Sequence, residues 1–313
     1  MIKLPTVLAV GGAHIDRRGR MSGPYVPQAS NPGSMREDVG GGAFNALRSA
    51  VRRGVCASLL SVRGGDAAAD MVARAIEGAG IADISAVFLD RTTPSYTALL
   101  DSDGELVAGF ADMALYEIAF PRQMVRAKVR EAIAAADAVL CDANLPRSAL
   151  GRLVALCTNK PVFAIAISPA KVIRLQPVLA DLALLFMNRR EVAALTGLEP
   201  GEPGTEMAAA LRRAGLQCGV VTSGSGPVLG FDAEGDFIIA PPSTQVTDVT
   251  GAGDALAGAT IAALLRGLTL RAALREGVAA AMLAVASPNA VPDFEAASFA
   301  KTLALVPEAM EMA

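Results

Sequence analysis

The stretch VTDVTGAGDALAGA, residues 246–259, contains a carboxylate, Asp254, directly behind Gly251-Ala252-Gly253 and directly ahead of small, helix-forming residues. A glycine-containing turn that enters a helix exposes backbone N–H groups that the helix cannot satisfy, and the helix dipole adds partial positive charge there. Such a turn suits an anion such as a phosphate group. Because an isolated Asp in a first helical turn is more often a cap than a catalyst, the rest of the chain has to decide its role.

Outward from this turn, the chain alternates short apolar runs with helical patterns. Buried strands are predicted by the runs PTVLAVGGA, AVLCDAN, PVFAIAIS, LALLFMN and CGVVTSG. Helices are predicted between them by FNALRSAVRRG, AADMVARAIEGAG, RQMVRAKVREAIAAA and EMAAALRRAGL. Strands that alternate with helices indicate βαβ units, so the predicted fold class is α/β, with a sheet covered by helices on both faces.

Composition excludes several functional classes. The chain has 313 residues, a net charge of −3 and an apolar fraction of 52%. It has no basic block, so polymeric nucleic acid is not an expected partner. It also has no apolar run of membrane-spanning length and no cleavable signal sequence, so we expect a cytoplasmic protein that has no membrane partner.

The cysteine and histidine content argues against zinc sites and against Cys/His or Ser/His nucleophilic machinery. His14 is the single histidine, and the four cysteines form no C-x-x-C pair. We expect reduced core residues at all four positions, namely Cys56, Cys141, Cys157 and Cys218.

Two stretches interrupt the alternation of strands and helices. RRGRMSGPYVPQASNPGSMREDV follows the first strand, and SYTALLDSDGELVAGFADMAL has period-two apolar spacing on both sides of a turn. We expect both to leave the main sheet and to pair as a small β lid, although a loop for the first stretch is nearly as compatible with its sequence. The predicted core comprises residues 1–16, 40–94 and 114–313, and the predicted lid comprises residues 17–39 and 95–113.

Polar and glycine residues follow the predicted strands where each strand ends. Ligand sites of open α/β sheets lie at the carboxyl ends of the strands. We therefore expect one cleft to contain Asp16, Asp142, Asn144, Asn188 and the run from Thr222 to Gly226.

The helix that starts GGGAFNALRSA carries a second set of candidates. Gly40, Gly41 and Gly42 let the backbone approach a ligand, and Asn45 offers both a donor and an acceptor in the first turn. A triple glycine is equally compatible with a flexible loop.

The helix that starts MNRREVAALTG has Asn188 and Glu191 three residues apart on one face, where they could organise water around a divalent cation. An ordinary capping box between the two residues is the alternative. The chain contains neither G-x-x-x-x-G-K-[ST] nor G-x-G-x-x-G. TGAGD itself is therefore the remaining candidate for a phosphate site.

These residues together resemble a known family. VTDVTGAGDALAGA closely matches the D-T-x-G-A-G-D signature of the ribokinase-like sugar and nucleoside kinases, the PfkB family. Its companion motifs occur in the same order: GGAHID, a glycine pair with Asn45 four residues after Gly41, N-x-x-E at Asn188 to Glu191, and VVTSGSG. The resemblance covers essentially the whole chain and implies a ribokinase-like three-layer α/β/α sandwich with a small β-sheet lid.

The resemblance also implies ATP-dependent phosphoryl transfer, in which alignment and charge stabilisation matter most. Asp254 would accept the proton of the attacking hydroxyl group, and the amides of Gly251, Ala252 and Gly253 would stabilise the developing charge. Asn188 and Glu191 would support Mg²⁺ through water. The nucleotide would lie along Asn188, Thr222, Ser223, Gly224 and Gly226.

The remaining implied roles concern the sugar, a second cation and the assembly. Asp16, Gly41 and Asn45 would hold ribose hydroxyl groups. Asp248 and Thr250 match positions that border a K⁺ site in relatives. Lids of this family often pair between subunits, so a homodimer is implied as well. One departure affects the sugar pocket, because the family usually has Asn at the position of His14.

Within the family, three segments are most similar to members that phosphorylate pseudouridine: SNPG at residues 30–33, SYTALLDSDGELVAGFADM and CDANLP. This similarity implies transfer of the γ-phosphoryl group to the ribose 5′-hydroxyl of that nucleoside. Candidate residues for the base are Ser30, Asn31, Tyr96 and Asn144. The alternatives are another ribokinase-like kinase, acting on adenosine, ribose or a modified sugar, and a nucleoside sensor that binds without transfer.

Overall fold

A ten-stranded sheet forms the centre of the computed structural model, which describes residues 4–287, 291–292 and 294–312. The ends of the chain and residues 288–290 and 293, which belong to the predicted core ranges, lie outside the described residues. The strands of the described part are β1 (Thr6–Val10), β2 (His14–Met21), β3 (Gly33–Gly40), β4 (Cys56–Leu60), β5 (Val62–Gly64), β6 (Ala82–Asp83), β7 (Ala86–Phe88), β8 (Ser95–Leu100), β9 (Leu106–Asp112), β10 (Ala138–Asp142), β11 (Val162–Ile165), β12 (Leu184–Asn188), β13 (Gly219–Thr222), β14 (Val228–Asp232), β15 (Gly235–Ile239) and β16 (Met310–Glu311).

Helices connect most of these strands. They are α1 (Gly42–Arg52), α2 (Ala67–Gly78), α3 (Ala114–Gln123), α4 (Ala127–Ala135), α5 (Arg147–Leu156), α6 (Pro169–Val172), a 3₁₀ helix (Gln176–Asp181), α7 (Arg189–Thr196), α8 (Gly204–Arg213), α9 (Ala252–Leu265), α10 (Leu270–Val285) and α11 (Ala296–Leu305). Among the described residues, no helix combines the length and the hydropathy that crossing a bilayer requires.

The large sheet has the strand order β16-β15-β14-β13-β12-β11-β10-β1-β4-β6. From β13 to β6 neighbouring strands are parallel, and β14, β15 and β16 extend the sheet as antiparallel strands. Strand β1 lies between β10 and β4, so the order of the chain reverses there. In open α/β sheets such a switch point opens a crevice at the carboxyl ends of the strands.

Both faces of this sheet are covered by helices because its strands are apolar on both sides. In β1, Val7 and Ala9 pack in a core with α1, α2, α9, α10 and α11. Leu8 and Val10 point to the opposite face and pack with α3, α4, α5, α7 and α8. This alternation follows from the two-residue repeat of a strand. The predicted α/β sandwich is confirmed.

A second sheet, with the order β3-β2-β8-β9, lies outside the main one. Strands β2 and β3 are antiparallel, β2 and β8 are parallel, and β8 and β9 form the predicted hairpin. The stretch between the first strand and the triple glycine therefore contributes two strands to this small sheet, with residues 22–32 as their connection.

Two local predictions are wrong. RQMVRAKVREAIAAA is not one helix, because the backbone at Arg126 is extended and divides α3 from α4. Buried Met124 turns the chain into the core just before this break. Cys56 is exposed because it starts β4, a strand that becomes buried only at Leu59. Of the other free cysteines, Cys141 and Cys157 are buried and Cys218 is half-buried.

Candidate active site

The turn ahead of α9 has the geometry of an anion site. Gly251 has φ 76°, in the left-handed region that favours glycine, and α9 begins at the next residue with no side-chain cap. A Cβ on Gly253 would have no heavy atom within 4 Å, so this residue borders open space. The Ala252 N–H donates to the Val249 carbonyl oxygen at 3.4 Å, and at Gly253 the amino end of α9 is open to the approach of a ligand.

Asp254 is the third residue of α9 and is half-buried. Its Oδ2 accepts a hydrogen bond of 3.0 Å from Nδ2 of Asn45. Burial is the main reason that the pKa of Asp254 rises to about 7, and the hydrogen bond from Asn45 opposes that rise. The nearby carboxylates of Asp142, Asp16 and Glu191 raise the pKa further. A carboxylate with this pKa can take up a proton near neutral pH.

Helix α1 brings Asn45 to Asp254 because it packs closely on α9. The Ser49 hydroxyl group donates a hydrogen bond of 2.8 Å to the carbonyl oxygen of Ala255. A Cβ on Gly258 would come within 2.0 Å of the Ala46 carbonyl oxygen, so only glycine allows this approach. Asn45 itself is 4% exposed. Its Oδ1 is buried and has no hydrogen-bond partner, so it is an acceptor that a ligand hydroxyl group could satisfy.

The triple glycine is a packed element and not a flexible loop. A Cβ on Gly40 would lie 2.0 Å from Oδ2 of Asp16. Gly41 has φ 117° and faces the carbonyl oxygen of Gly12, which a Cβ would approach to 2.3 Å. A Cβ on Gly42 would overlap Cδ1 of Ile167. Gly41 therefore excludes a side chain, because a Cβ there would meet backbone atoms, whereas Gly40 and Gly42 pack against the side chains of Asp16 and Ile167.

Asp142, which the sequence analysis assigned to the cleft without a site role, holds this corner together. It is fully buried at the end of β10. Its Oδ2 accepts hydrogen bonds from the backbone of Gly12 at 2.9 Å and of Ala43 at 3.1 Å. Asn144 donates its backbone N–H to Oδ1 and its side-chain amide to Oδ2, both at 3.0 Å. The residue thus connects β1, α1 and β10.

His14 lies between Tyr116 and Asp16 and contacts both side chains. Its Nε2 lies 3.3 Å from Oδ1 of Asp16, and its Nδ1 lies 3.1 Å from the hydroxyl oxygen of Tyr116. His14 and Tyr116 are both buried. Burial raises the pKa of the Tyr116 hydroxyl well above its usual value, so the group remains protonated. His14 therefore orients Asp16 from behind. Nothing in the sequence near Tyr116 indicated this contact.

A cavity of about 170 Å³ lies beside Asp254. Five further residues predicted for the site line it: Asn188, Glu191, Thr222, Gly251 and Gly253. Ile167 also lines it and has φ 69°, which is strained for a β-branched residue. Ser223, Gly224 and Gly226 form the adjacent turn into β14, in which Gly226 donates its N–H to the Ser223 carbonyl oxygen at 3.0 Å. Ala252 is half-buried in the first turn of α9.

Asn188 and Glu191 form a capping box and border the cavity as well. Oδ1 of Asn188 accepts the N–H of Glu191 at 3.0 Å, and Oε2 of Glu191 accepts the N–H of Asn188 at 2.7 Å. Burial raises the pKa of Glu191 to about 6, against the hydrogen bonds from Asn188. Two carboxylates with raised pKa values, Glu191 and Asp254, therefore line one cavity. This donor set fits a divalent cation that keeps most of its water ligands.

The four candidates for reading a base do not converge. The amide of Asn31 closes its own loop, with hydrogen bonds to the backbone of Val26 and Ala29. Ser30 is exposed in the same loop. Tyr96 is the β8 partner of Asp16 in the parallel pairing, and the Tyr96 hydroxyl lies over Gly109.

Asn144 is buried beneath Lys171, a residue that the sequence analysis did not identify. Nζ of Lys171 donates a hydrogen bond of 2.6 Å to Oδ1 of Asn144. Burial lowers the pKa of Lys171, although Asp142 opposes this effect. The ammonium group, and not the Asn144 carbonyl oxygen, is therefore the polar group available at this corner.

Asp248 and Thr250 belong to the loop that precedes Gly251. Oδ1 of Asp248 accepts the N–H of Thr250 at 2.8 Å, and Oδ2 lies 2.6 Å from Nη1 of Arg18 in β2. Burial would raise the pKa of Asp248, but the hydrogen bonds from Thr250 and Arg18 lower it below its usual value. A cation on this carboxylate would lie against a guanidinium group, so the residues present do not fit a monovalent-cation site.

Comparison with known proteins agrees with this geometry. The profile of the pfkB family carbohydrate kinases matches residues 5–297. A pseudouridine kinase from Escherichia coli K12 is 30% identical over 254 residues, which cover 80% of this chain and 80% of that protein. The solved structure of a carbohydrate kinase from Agrobacterium tumefaciens superimposes with a TM-score of 0.87 at 46% identity, and the match covers 99% of this chain and 100% of that one.

A more distant match concerns the fold. A ribokinase from Arabidopsis thaliana, solved in complex with ribose and ATP, superimposes with a TM-score of 0.83 at 22% identity over 96% of this chain and 99% of that one. The predicted ribokinase-like fold is confirmed. The chain therefore belongs to the pfkB family of carbohydrate kinases, and it is a phosphotransferase of the sugar and nucleoside kinase type.

Proposed function

We propose that this kinase transfers the γ-phosphoryl group of ATP to the ribose 5′-hydroxyl of pseudouridine. The observation that carries the transfer is the position of Asp254, a carboxylate with a raised pKa at the amino end of helix α9. The choice of pseudouridine is supported by SNPG, by the hairpin and by CDANLP, together with the 30% identity to the Escherichia coli enzyme.

In the proposed reaction Asp254 accepts the proton of the 5′-hydroxyl group. The oxygen forms a bond to the γ-phosphorus atom, and the bond between that atom and the β,γ-bridging oxygen breaks, so ADP leaves with the electron pair. The amides of Gly251, Ala252 and Gly253 stabilise the charge on the transferring group. The nucleotide lies along Thr222, Ser223, Gly224 and Gly226.

Magnesium fits this proposal at the cavity beside Asp254. Asn188 and Glu191 would hold its water shell, and Mg²⁺ when bound supplies charge stabilisation to the phosphate oxygens. The capping box keeps Glu191 in one rotamer through its bond to the Asn188 N–H group. The same two residues therefore serve the fold of α7 and the proposed cation site.

The ribose site follows from three groups around the triple glycine. Asp16 accepts ribose hydroxyl groups in the orientation that His14 fixes. The buried Oδ1 of Asn45, which has no partner in the free protein, accepts another hydroxyl hydrogen. Gly41 lets the backbone approach the sugar.

Recognition of the base falls to the residues whose polar atoms are still available. Asn31 and the Asn144 carbonyl oxygen are engaged within the protein. The Tyr96 hydroxyl, the Ser30 hydroxyl and the Lys171 ammonium group remain. Pseudouridine differs from uridine by an N1–H donor, which the hydroxyl oxygen of Tyr96 or Ser30 could accept.

Residues 17–39 and 95–113 act in this proposal as a lid that closes over the nucleoside and excludes water from the transfer. The core then comprises residues 1–16, 40–94 and 114–313. The outer face of the small sheet carries exposed apolar side chains, including Met35 and Phe110. This face supports the homodimer that the family resemblance implies.

A substrate panel tests the proposal. We expect kcat/KM for pseudouridine to exceed that for uridine by up to about 10⁴-fold under identical Mg-ATP, because an acceptor for N1–H that the closed lid covers would be left unpaired by uridine. Adenosine and ribose complete the panel. Equal values for uridine and pseudouridine would refute the substrate and leave the kinase intact. Binding of a nucleoside without any phosphorylated product by mass spectrometry would favour a sensor.

A further inference from the structure

The ion pair between Arg18 and Asp248 links two parts of the molecule that the chain separates by 230 residues. Arg18 belongs to β2 in the small sheet, and Asp248 belongs to the loop that leads into the phosphate turn. Nη1 and Oδ2 are 2.6 Å apart, and the two side chains are 28% and 23% exposed. Both charges are therefore partly shielded from water. An ion pair in such a place affects stability more than an ion pair at the surface does.

Several hydrogen bonds and one ion pair hold the loop that carries Asp248. The backbone N–H groups of Thr247 and Asp248 donate to the carbonyl oxygen of Val285 at 2.7 and 3.2 Å. The Asp248 side chain accepts the N–H of Thr250. Arg18 supplies the ion pair, which attaches this loop to the small sheet. The position of Gly251, the next residue after Thr250, depends on these contacts.

A monovalent cation at this loop would perform the same task as Arg18. It would neutralise Asp248 and tie the carboxylate to the surrounding oxygen atoms. Here a guanidinium group already occupies the oxygen of Asp248 that Thr250 leaves available.

We propose that the guanidinium group of Arg18 takes the place of a monovalent cation at Asp248, so that the kinase works without K⁺. The positive charge beside Asp248 is then supplied by a side chain of the small sheet and not by an ion from solution. This inference depends on the kinase chemistry of the family and is independent of which nucleoside or sugar the enzyme phosphorylates.

The test compares potassium chloride with tetramethylammonium chloride at equal ionic strength, because the organic cation is too large for a site between backbone oxygens. For the wild-type enzyme we expect kcat/KM to differ by less than about twofold between the two salts, since both screen charge equally. For Arg18→Ala we expect a loss of about tenfold in tetramethylammonium, smaller than for a fully buried pair. Potassium should recover most of that loss by entering the vacated space.

Arg17→Ala is the matched control. Arg17 is the neighbouring residue of the same strand, and it pairs with Glu37 on the opposite face of the small sheet. This variant should have the same kcat/KM in the two salts, because its ion pair does not involve Asp248. Arg18→Lys keeps a positive charge and should also show no response to K⁺, whereas Arg18→Gln, which is neutral and similar in length, should behave like Arg18→Ala if the alanine variant does not fold.

Melting temperature gives a second readout that needs no substrate. Potassium should raise the melting temperature of Arg18→Ala or Arg18→Gln relative to tetramethylammonium, and it should leave the wild type and Arg17→Ala unchanged. Stimulation of the wild type by K⁺ above about twofold at matched ionic strength would overturn the proposal. So would an Arg18→Gln enzyme that keeps full activity in tetramethylammonium, or one whose loss K⁺ does not reverse.

Discussion

Asp254 combines a helix amino end, which favours a negative charge, with an environment that opposes one. The dipole at the amino end of α9 stabilises the carboxylate, whereas burial and the neighbouring carboxylates raise its pKa to about 7. Asn45 supplies the one side-chain hydrogen bond that lowers the pKa. The residue is consequently balanced between its two protonation states near neutral pH, which suits a general base.

The first prediction removes this base. Asp254→Asn should fold and still bind nucleoside, but kcat should fall by about 10²-fold to 10⁴-fold, the usual loss when a general base is removed. In the wild type, kcat should rise with pH through about 7, because only the deprotonated carboxylate accepts the proton. Steady-state kinetics across this pH range measure both effects. Near-normal turnover of the folded variant would exclude Asp254 from the role.

The same substitution has a second signature in stability. The pKa of Asp254 is raised from 3.8 to about 7 on folding, so the folded protein holds a proton that the unfolded chain releases between these values. The contribution of Asp254 to stability is therefore full below pH 3.8 and is lost as the pH rises through about 7. Asn at this position does not titrate. As the pH rises between these values, the melting temperature of the wild type should therefore fall relative to that of Asp254→Asn.

At the scale of an element, the glycines in and before α9 differ in whether the fold requires them. Gly251 requires glycine because of its positive φ, and Gly258 requires it because of the packing on α1. Gly253 has neither requirement, since a Cβ there would point into open space. A glycine in a helix without a steric reason costs stability relative to alanine, so its explanation is expected in the ligand.

The corresponding prediction is that Gly253→Ala separates stability from activity. Alanine should raise the free energy of unfolding by about 0.5–1 kcal/mol, while the added methyl group blocks the approach of a phosphate and raises KM for ATP. Gly151→Ala is the control, because Gly151 lies inside α5, also faces open space and is remote from the cleft. It should give the stability gain alone. An unchanged KM for ATP in Gly253→Ala would contradict the proposed phosphate position.

At the scale of the whole molecule, the small sheet and the main sheet are connected at the cleft. Strand β2 continues from the corner that Asp142 fixes, and Arg18 returns from the small sheet to the phosphate loop. A lid with these attachments should respond to a bound nucleoside as one unit. Hydrogen exchange should therefore show slower exchange in both residues 17–39 and 95–113 when the nucleoside binds, with α4 as an unaffected reference. A response in only one segment would contradict the shared lid.

The sequence was sufficient for those features that local patterns encode. Strands β1, β10, β11, β12 and β13 follow from apolar runs, and the turn into α9 follows from TGAGD. The contacts of Asp142 with Gly12, of Tyr116 with His14 and of Arg18 with Asp248 join residues that are 130, 102 and 230 positions apart. No periodicity or spacing encodes such a pair. Asn31 and Asn144 also looked available because their partners become visible only in the folded chain.

The contacts of Asp142 bear on the order in which the parts of the candidate site are synthesised. The residues that form the proposed sugar corner, Gly12, Ala43 and Asp142, all belong to the first half of the chain. Asp254 and the turn ahead of it belong to its last quarter. A growing chain therefore acquires the proposed acceptor site well before it acquires the proposed general base. Fragments released early in synthesis should retain no capacity to consume ATP.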